Sequence, residues 1–137
     1  MRTLDLPGRS PVRSLNGMAA TSHPLSTMTA IQVLQDGGNA MDAAVAACAV
    51  QCVVEPMSTG IGGDCFAIIA TREGKVAAYN GSGRAPAALT AEQLLAAGET
   101  AIGETTPHAV TVPGAVEAWA RLVAEHGRLG LDRVLAP

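Results

Sequence analysis

The sequence predicts a mixed α+β chain. Three features carry that prediction. Residues 43–54 form an Ala-, Val- and Cys-rich run interrupted only by Gln51. Two short apolar segments, 65–71 and 75–80, flank the turn string Arg72-Glu73-Gly74. Capping residues precede several of the remaining segments.

Residues 1–24 read as an irregular lead-in, broken by Pro7 and Pro11, and residues 25–137 as the folded body. Ser26 is a candidate N-cap for a helix over 27–35, with Met28, Ile31, Val33 and Leu34 on its apolar face and Asp36-Gly37-Gly38 ending it. A second helix starts at Asn39 or Ala40 and continues to about Val54, with Asp42 near its positive end, where an acid is favoured. Its interior is apolar on almost every side, the pattern of a helix in the middle of a larger body. Glu55-Pro56 stops it, and residues 58–64 form a glycine-rich loop. Residues 65–71 then read as a buried strand, 72–74 as a turn and 75–80 as the return strand of a hairpin. After a loop at 81–86, Thr90 and Gln93 form a capping-box pattern for a short helix ending at Gly98. Residues 99–112 carry weak signals, with a short strand at 109–112. Pro113 suits the first turn of a helix that ends near Gly127 and buries Trp119, Leu122 and Val123. Asp132 is a candidate cap for one more helix; its closeness to Pro137 predicts that the natural polypeptide continues.

Composition narrows the function classes. With 48% hydrophobic and 15% charged residues, the chain can bury a large core and also has apolar faces that belong against something else. Disorder is excluded, because it needs low hydrophobicity and high charge. The net charge is −3, the arginines are scattered, and Phe66, Tyr79 and Trp119 are the only aromatics, so no nucleic-acid partner is expected. The 43–54 run is shorter than the roughly 20 residues of a membrane span, so no membrane partner is expected either. No basic start followed by an apolar stretch marks a secretory signal, which leaves the cytoplasm as the default compartment. Cys48, Cys52 and Cys65 are an odd set without a disulfide framework. Cys48 and Cys52 share a helix face, but His23, His108 and His126 are dispersed, so the cysteines read as small core residues and no metal is expected.

Several strings invite a chemical reading. Gly60-Ile61-Gly62-Gly63 suggests a nucleotide-binding loop, but Cys65 stands where the last glycine of the dinucleotide fingerprint belongs, and a helix precedes the loop where a strand should. A tight backbone passage from helix to strand is the plainer reading. Cys65 with His108 has the residue types of a thiol nucleophile and base, yet Cys65 opens an apolar strand where burial would disarm it. Thr105-Thr106-Pro107-His108 pairs threonine with histidine, but a threonine nucleophile works best as a chain's own amino terminus, where its α-amine is the base. The string reads as a loop. Arg84 lies in a glycine loop directly after a strand, where a side chain can reach a cleft, and an arginine fork suits a substrate carboxylate. A solvated or structurally paired loop arginine is the alternative.

Longer strings resemble the γ-glutamyltransferase family. They are Gly17-Met18-Ala19-Ala20-Thr21-Ser22-His23-Pro24, Gly37-Gly38-Asn39-Ala40-Met41-Asp42-Ala43-Ala44-Val45-Ala46, Val54-Glu55-Pro56, Gly60-Ile61-Gly62-Gly63, Ala85-Pro86 and Val112-Pro113-Gly114, in the order and approximate spacing of that family. The resemblance implies an amino-terminal-nucleophile hydrolase fold of αββα layers, incomplete in this chain, with residues 25–137 the truncated amino-terminal part of the large-chain domain. It implies a self-processing precursor whose small chain begins with a threonine nucleophile that attacks a γ-glutamyl amide such as glutathione, for hydrolysis or transfer. It implies no metal or organic cofactor. The partners it implies are the remainder of the precursor and a small-molecule amide.

Two departures qualify the resemblance. The processing threonine and its context are not found in these residues, since Thr105-Thr106-Pro107-His108 lies upstream of Val112-Pro113-Gly114 and the family motif lies far downstream of it. No catalytic residue is therefore assigned, and the chain alone is expected to be inactive. The family's D-G-R-E-T-A-P string, whose arginine grips the substrate α-carboxylate, is here Asn80-Gly81-Ser82-Gly83-Arg84-Ala85-Pro86. Ser82 occupies the arginine position and Arg84 follows two residues later, so Ser82 and Arg84 are the substrate-binding candidates. Either Arg84 takes over the grip from a shifted position, or the pocket accepts another acyl group, as in the family's small-amide hydrolases and acylase-like branch. A non-catalytic binding or assembly remnant of the same fold is the rival reading.

Overall fold

A computed structural model describes residues 11–137. The part of the expected lead-in over 1–10 lies outside the described residues, and residues 11–23 form no helix or strand. The first helix, α1, spans Pro24–Gln35. It begins earlier than the sequence suggests, because His23 and not Ser26 is its N-cap: the imidazole Nδ1 accepts from the Leu25 N–H at 3.2 Å. Pro24, with no N–H to satisfy, fits the first helical position. Ser26 is instead fully buried and donates to the Ala47 carbonyl of the next helix at 2.7 Å.

The second helix, α2, spans Ala40–Val54 as the sequence predicts. Asn39 Oδ1 accepts from Met41 N and Asp42 N, and the Asp42 carboxylate returns the bond to Asn39 N at 2.8 Å. Asp42 is wholly buried and also accepts from Arg128 N at 2.9 Å and Leu129 N at 3.4 Å. The box that starts α2 thereby ties down the chain beyond α4, the helix Ala115–His126. Asn39 Nδ2 adds a bond to the His126 carbonyl at 2.6 Å.

At its other end α2 is tied to the lead-in. The Ser22 hydroxyl and the Gln51 amide both donate to Glu55 Oε2. These bonds, Ser22 first, hold the Glu55 carboxyl below its ordinary value. A depressed folded value means that this tie contributes above the unfolded value of 4.5 and is lost as pH falls through the folded one. Ser22→Ala should move the Glu55 midpoint upward in a carbon-13 carboxyl titration; an unmoved midpoint would show that the Ser22 bond is not made in solution.

The strands β1, Phe66–Ala70, and β2, Val76–Asn80, form an antiparallel hairpin in the register Phe66↔Asn80 through Ala70↔Val76. The turn closes through Thr71 N to Lys75 O at 2.8 Å, with Gly74 at φ +80. The expectation of a buried strand is corrected here. Phe66, Ile68 and Val76 point to one face and are 68%, 82% and 70% exposed. Among the described residues no layer covers that face, and the hairpin is the whole sheet.

A short helix α3, Ala91–Ala96, follows the expected Thr90–Gln93 capping box and stops before Gly98 at φ +85. The strand expected at 109–112 is absent. Pro107–Ala109 form one 3₁₀ turn, closed by Val110 N to Pro107 O at 3.2 Å, and the segment after it meets the 81–86 loop through Val112 N to Arg84 O at 2.9 Å. In α4 the buried residues Ala115, Ala118, Trp119, Leu122 and Val123 recur at helical spacing. Pro113 precedes its cap, Gly114, and is not in its first turn, because the Gly63 carbonyl accepts from Gly114 N and Ala115 N and sets the start there. The last helix, α5, is Leu131–Val134, capped by Gly130, so Asp132 lies in its first turn and is not its cap.

The core gathers Ala30 and Val33 of α1, Ala43, Val45, Ala46 and Ala47 of α2, Trp119 and Val123 of α4 and Val134 of α5. The outer side of α2 is less covered than an all-apolar helix predicts: Ala44 and Val53 are exposed. Among the described residues no helix is long and apolar enough to cross a membrane.

Candidate functional site

Three loops meet where the hairpin joins α4. The ladder runs one step past the strands, with Gly81 N donating to Cys65 O at 2.7 Å and Cys65 N to Gly81 O at 3.3 Å. Asn80 Oδ1 then accepts from Ser82 N at 3.0 Å and from the Ser82 hydroxyl. This Asx turn bends the chain off the ladder. Gly83 N donates to Asp64 Oδ1 at 2.9 Å, and the Thr111 hydroxyl lies 3.5 Å from the same oxygen. Val112 N holds the Arg84 carbonyl from the other side.

Glycine makes this crossing possible. A Cβ on Gly83 would stand 1.6 Å from the Val112 carbonyl oxygen, and one on Gly114 would stand 2.3 Å from the Gly81 oxygen. Backbones approach here as only residues without side chains allow.

The structure places both candidate binding residues on this clamped loop. Arg84 is exposed, and among the described residues its guanidinium has no acidic partner within ion-pair distance. Ser82 is also exposed, but its hydroxyl is committed to Asn80. Sequence reasoning missed Asp64 and Thr111 as supports of this loop. The Asn80-Gly81-Ser82 string could have revealed the Asx turn; the bond between Asp64 and Gly83 spans 19 residues and leaves no local signal.

The other strings do not assemble into a catalytic set. Burial pushes the Cys65 thiol up, partly opposed by the Trp119 indole, so the thiolate is disfavoured, and no hydrogen bond joins it to His108 among the described residues. Burial, followed by the nearby Cys65 and Cys52, pushes Cys48 up as well. All three cysteines are half-buried at the edge of the core and not fully inside it. The Thr106 hydroxyl donates to Gly103 O at 2.8 Å, closing a turn. The glycine loop serves as the passage from α2 to β1, its Gly63 carbonyl anchoring α4. Between β1 and the helices lies a groove of about 500 Å³, lined mainly by apolar side chains such as Val45, Cys48, Ile69, Trp119 and Leu122.

Comparison with known proteins agrees with this architecture. The chain is 42% identical over 122 residues to the glutathione hydrolase-like YwrD proenzyme of Bacillus subtilis, covering 88% of this chain and 23% of that protein. Among solved structures it superposes on the Helicobacter pylori γ-glutamyltranspeptidase with a TM-score of 0.81 at 31% identity, over 91% of this chain and 37% of that one. The cephalosporin acylase of Bacillus halodurans gives a TM-score of 0.81 at 40% identity, over 98% of this chain and 26% of that one. The chain thus spans about a quarter of the YwrD relative's length, and its mixed helices and hairpin are part of an amino-terminal-nucleophile hydrolase fold. The sequence profile described as Gamma-glutamyltranspeptidase matches residues 26–137, and the chain belongs to that family.

Proposed function

We propose that this chain forms one wall of the substrate cleft of a self-processing amidase or acyltransferase, and that the threonine nucleophile is contributed by the remainder of the precursor. Arg84, with Ser82 beside it, receives the carboxylate of a small amide substrate, either a γ-glutamyl compound or a related acyl amide. The observation that carries this reading is the exposed Arg84, without an acidic partner among the described residues, on a loop clamped from both sides. An arginine fork held on a fixed backbone suits bidentate carboxylate recognition. The proenzyme relative, of which this chain covers 23%, supports a nucleophile elsewhere. So do the engaged hydroxyls of internal threonines such as Thr21, Thr27 and Thr106.

The test has two arms. The 137-residue chain alone should not turn over a γ-glutamyl anilide; turnover would remove the claim that the nucleophile lies elsewhere. In the complete protein, Arg84→Ala should raise KM for a carboxylate-bearing amide by about 30-fold, equivalent to about 2 kcal/mol for a lost charge-assisted contact. An unchanged KM would take Arg84 out of the site and favour a pocket for another acyl group.

A further inference from the structure

The loop bearing Arg84 is held through its backbone on both sides, and the two holds differ in kind. On the carboxy-terminal side its carbonyl accepts from Val112 N, a main-chain bond that survives most substitutions. On the amino-terminal side the peptide N–H of Gly83 is held by a side chain, Asp64 Oδ1, at 2.9 Å. Asp64 ends the glycine loop that leads from α2 into β1, so it connects the loop bearing Arg84 to a different part of the chain. Although it holds the residue next to Arg84, Asp64 makes no ion pair with Arg84. Its negative charge fixes the main chain and leaves the guanidinium available.

We propose that Asp64 is a positioning residue for substrate binding: by accepting the Gly83 N–H, with Thr111 at the same oxygen, it sets the direction in which Arg84 presents its fork. The proposal rests on the reading of Arg84 as the carboxylate-binding group. A fork must meet a carboxylate in a narrow range of orientations, so a loop free to rotate about residues 82–84 loses binding without losing any contact atom.

Charge and positioning predict opposite results, which makes the idea testable. Deleting a negative charge near an anion site should by Coulomb's law tighten an anionic substrate and lower KM. If Asp64 acts through the loop, Asp64→Ala in the complete protein should instead raise KM for a γ-glutamyl anilide by about tenfold, with kcat changed by less than about twofold. Asp64→Asn removes the same charge but keeps an oxygen that can accept the Gly83 N–H, and should restore KM to within about threefold of the parent. Amide hydrogen exchange of a peptide covering 81–84 should quicken in Asp64→Ala and stay slow in Asp64→Asn.

Unchanged exchange in Asp64→Ala would overturn the proposal. So would a lowered or unchanged KM in that variant while Arg84→Ala raises KM. If Arg84→Ala itself leaves KM unaltered, the carboxylate reading falls and the binding role of Asp64 falls with it. The Arg84 variant thus separates failure of the site from failure of its support.

Discussion

Asp42→Ala is expected to destabilise the protein by about 4 kcal/mol, the largest single effect predicted for this chain. The carboxylate is fully buried and accepts from three main-chain N–H groups, those of Asn39, Arg128 and Leu129. Alanine leaves all three without an acceptor and opens a void among the ends of two helices. A buried donor deprived of its partner costs about 1–3 kcal/mol, and the donors of Arg128 and Leu129 have no helix of their own to fall back on. Urea unfolding of the complete protein measures the effect. Asn39→Ala, which removes only the local cap and the bond to the His126 carbonyl, should cost about half as much. A loss below about 1 kcal/mol for Asp42→Ala would mean that water reaches the site and replaces the carboxylate. The same carboxylate explains Gly127: a Cβ there would stand 2.5 Å from Asp42 Oδ1.

Gly83→Ala should be nearly as severe, with a loss of about 3 kcal/mol. The new methyl would overlap the Val112 carbonyl oxygen at 1.6 Å, and that oxygen belongs to backbone that cannot swing aside like a side chain. The two segments must separate. Separation stretches the bond from Val112 N to Arg84 O, so thermal stability and KM for a carboxylate substrate should worsen together. Gly62→Ala is the control, since an added Cβ there meets nothing within 4 Å and its φ lies outside the left-handed region. It should leave the melting temperature within about 1 °C of the parent. Equal effects at the two positions would mean that the two segments crossing at residue 83 part without cost.

The sequence revealed α2, the hairpin, α3 and the apolar face of α4, because each announces itself within a few residues: a capping box, a turn glycine, a helical spacing of apolar side chains. It misplaced the start of α1 because Ser26 has the chemistry of a cap, and only the distant Ala47 carbonyl shows where its hydroxyl goes. Pro113 misleads for a similar reason, since the start of α4 is set by the carbonyl of Gly63. The string Phe66-Ala67-Ile68-Ile69-Ala70 is apolar on both faces and reads as buried on both, while among the described residues nothing covers the face of Phe66 and Ile68. For the candidate site, Arg84 is legible from its place in a glycine loop directly after a strand, and Ser82 only through resemblance to a family motif. Asp64 was not, because its partner lies across a loop crossing that no local pattern encodes.

The uncovered face of the hairpin also says something about heat. If Phe66, Ile68 and Val76 are sealed by a further layer of protein, that seal is driven by release of water from apolar surface, a force that weakens on cooling. The separated pieces of such a protein would therefore rejoin more firmly at 30 °C than at about 4 °C, with association showing a negative heat-capacity change in calorimetry.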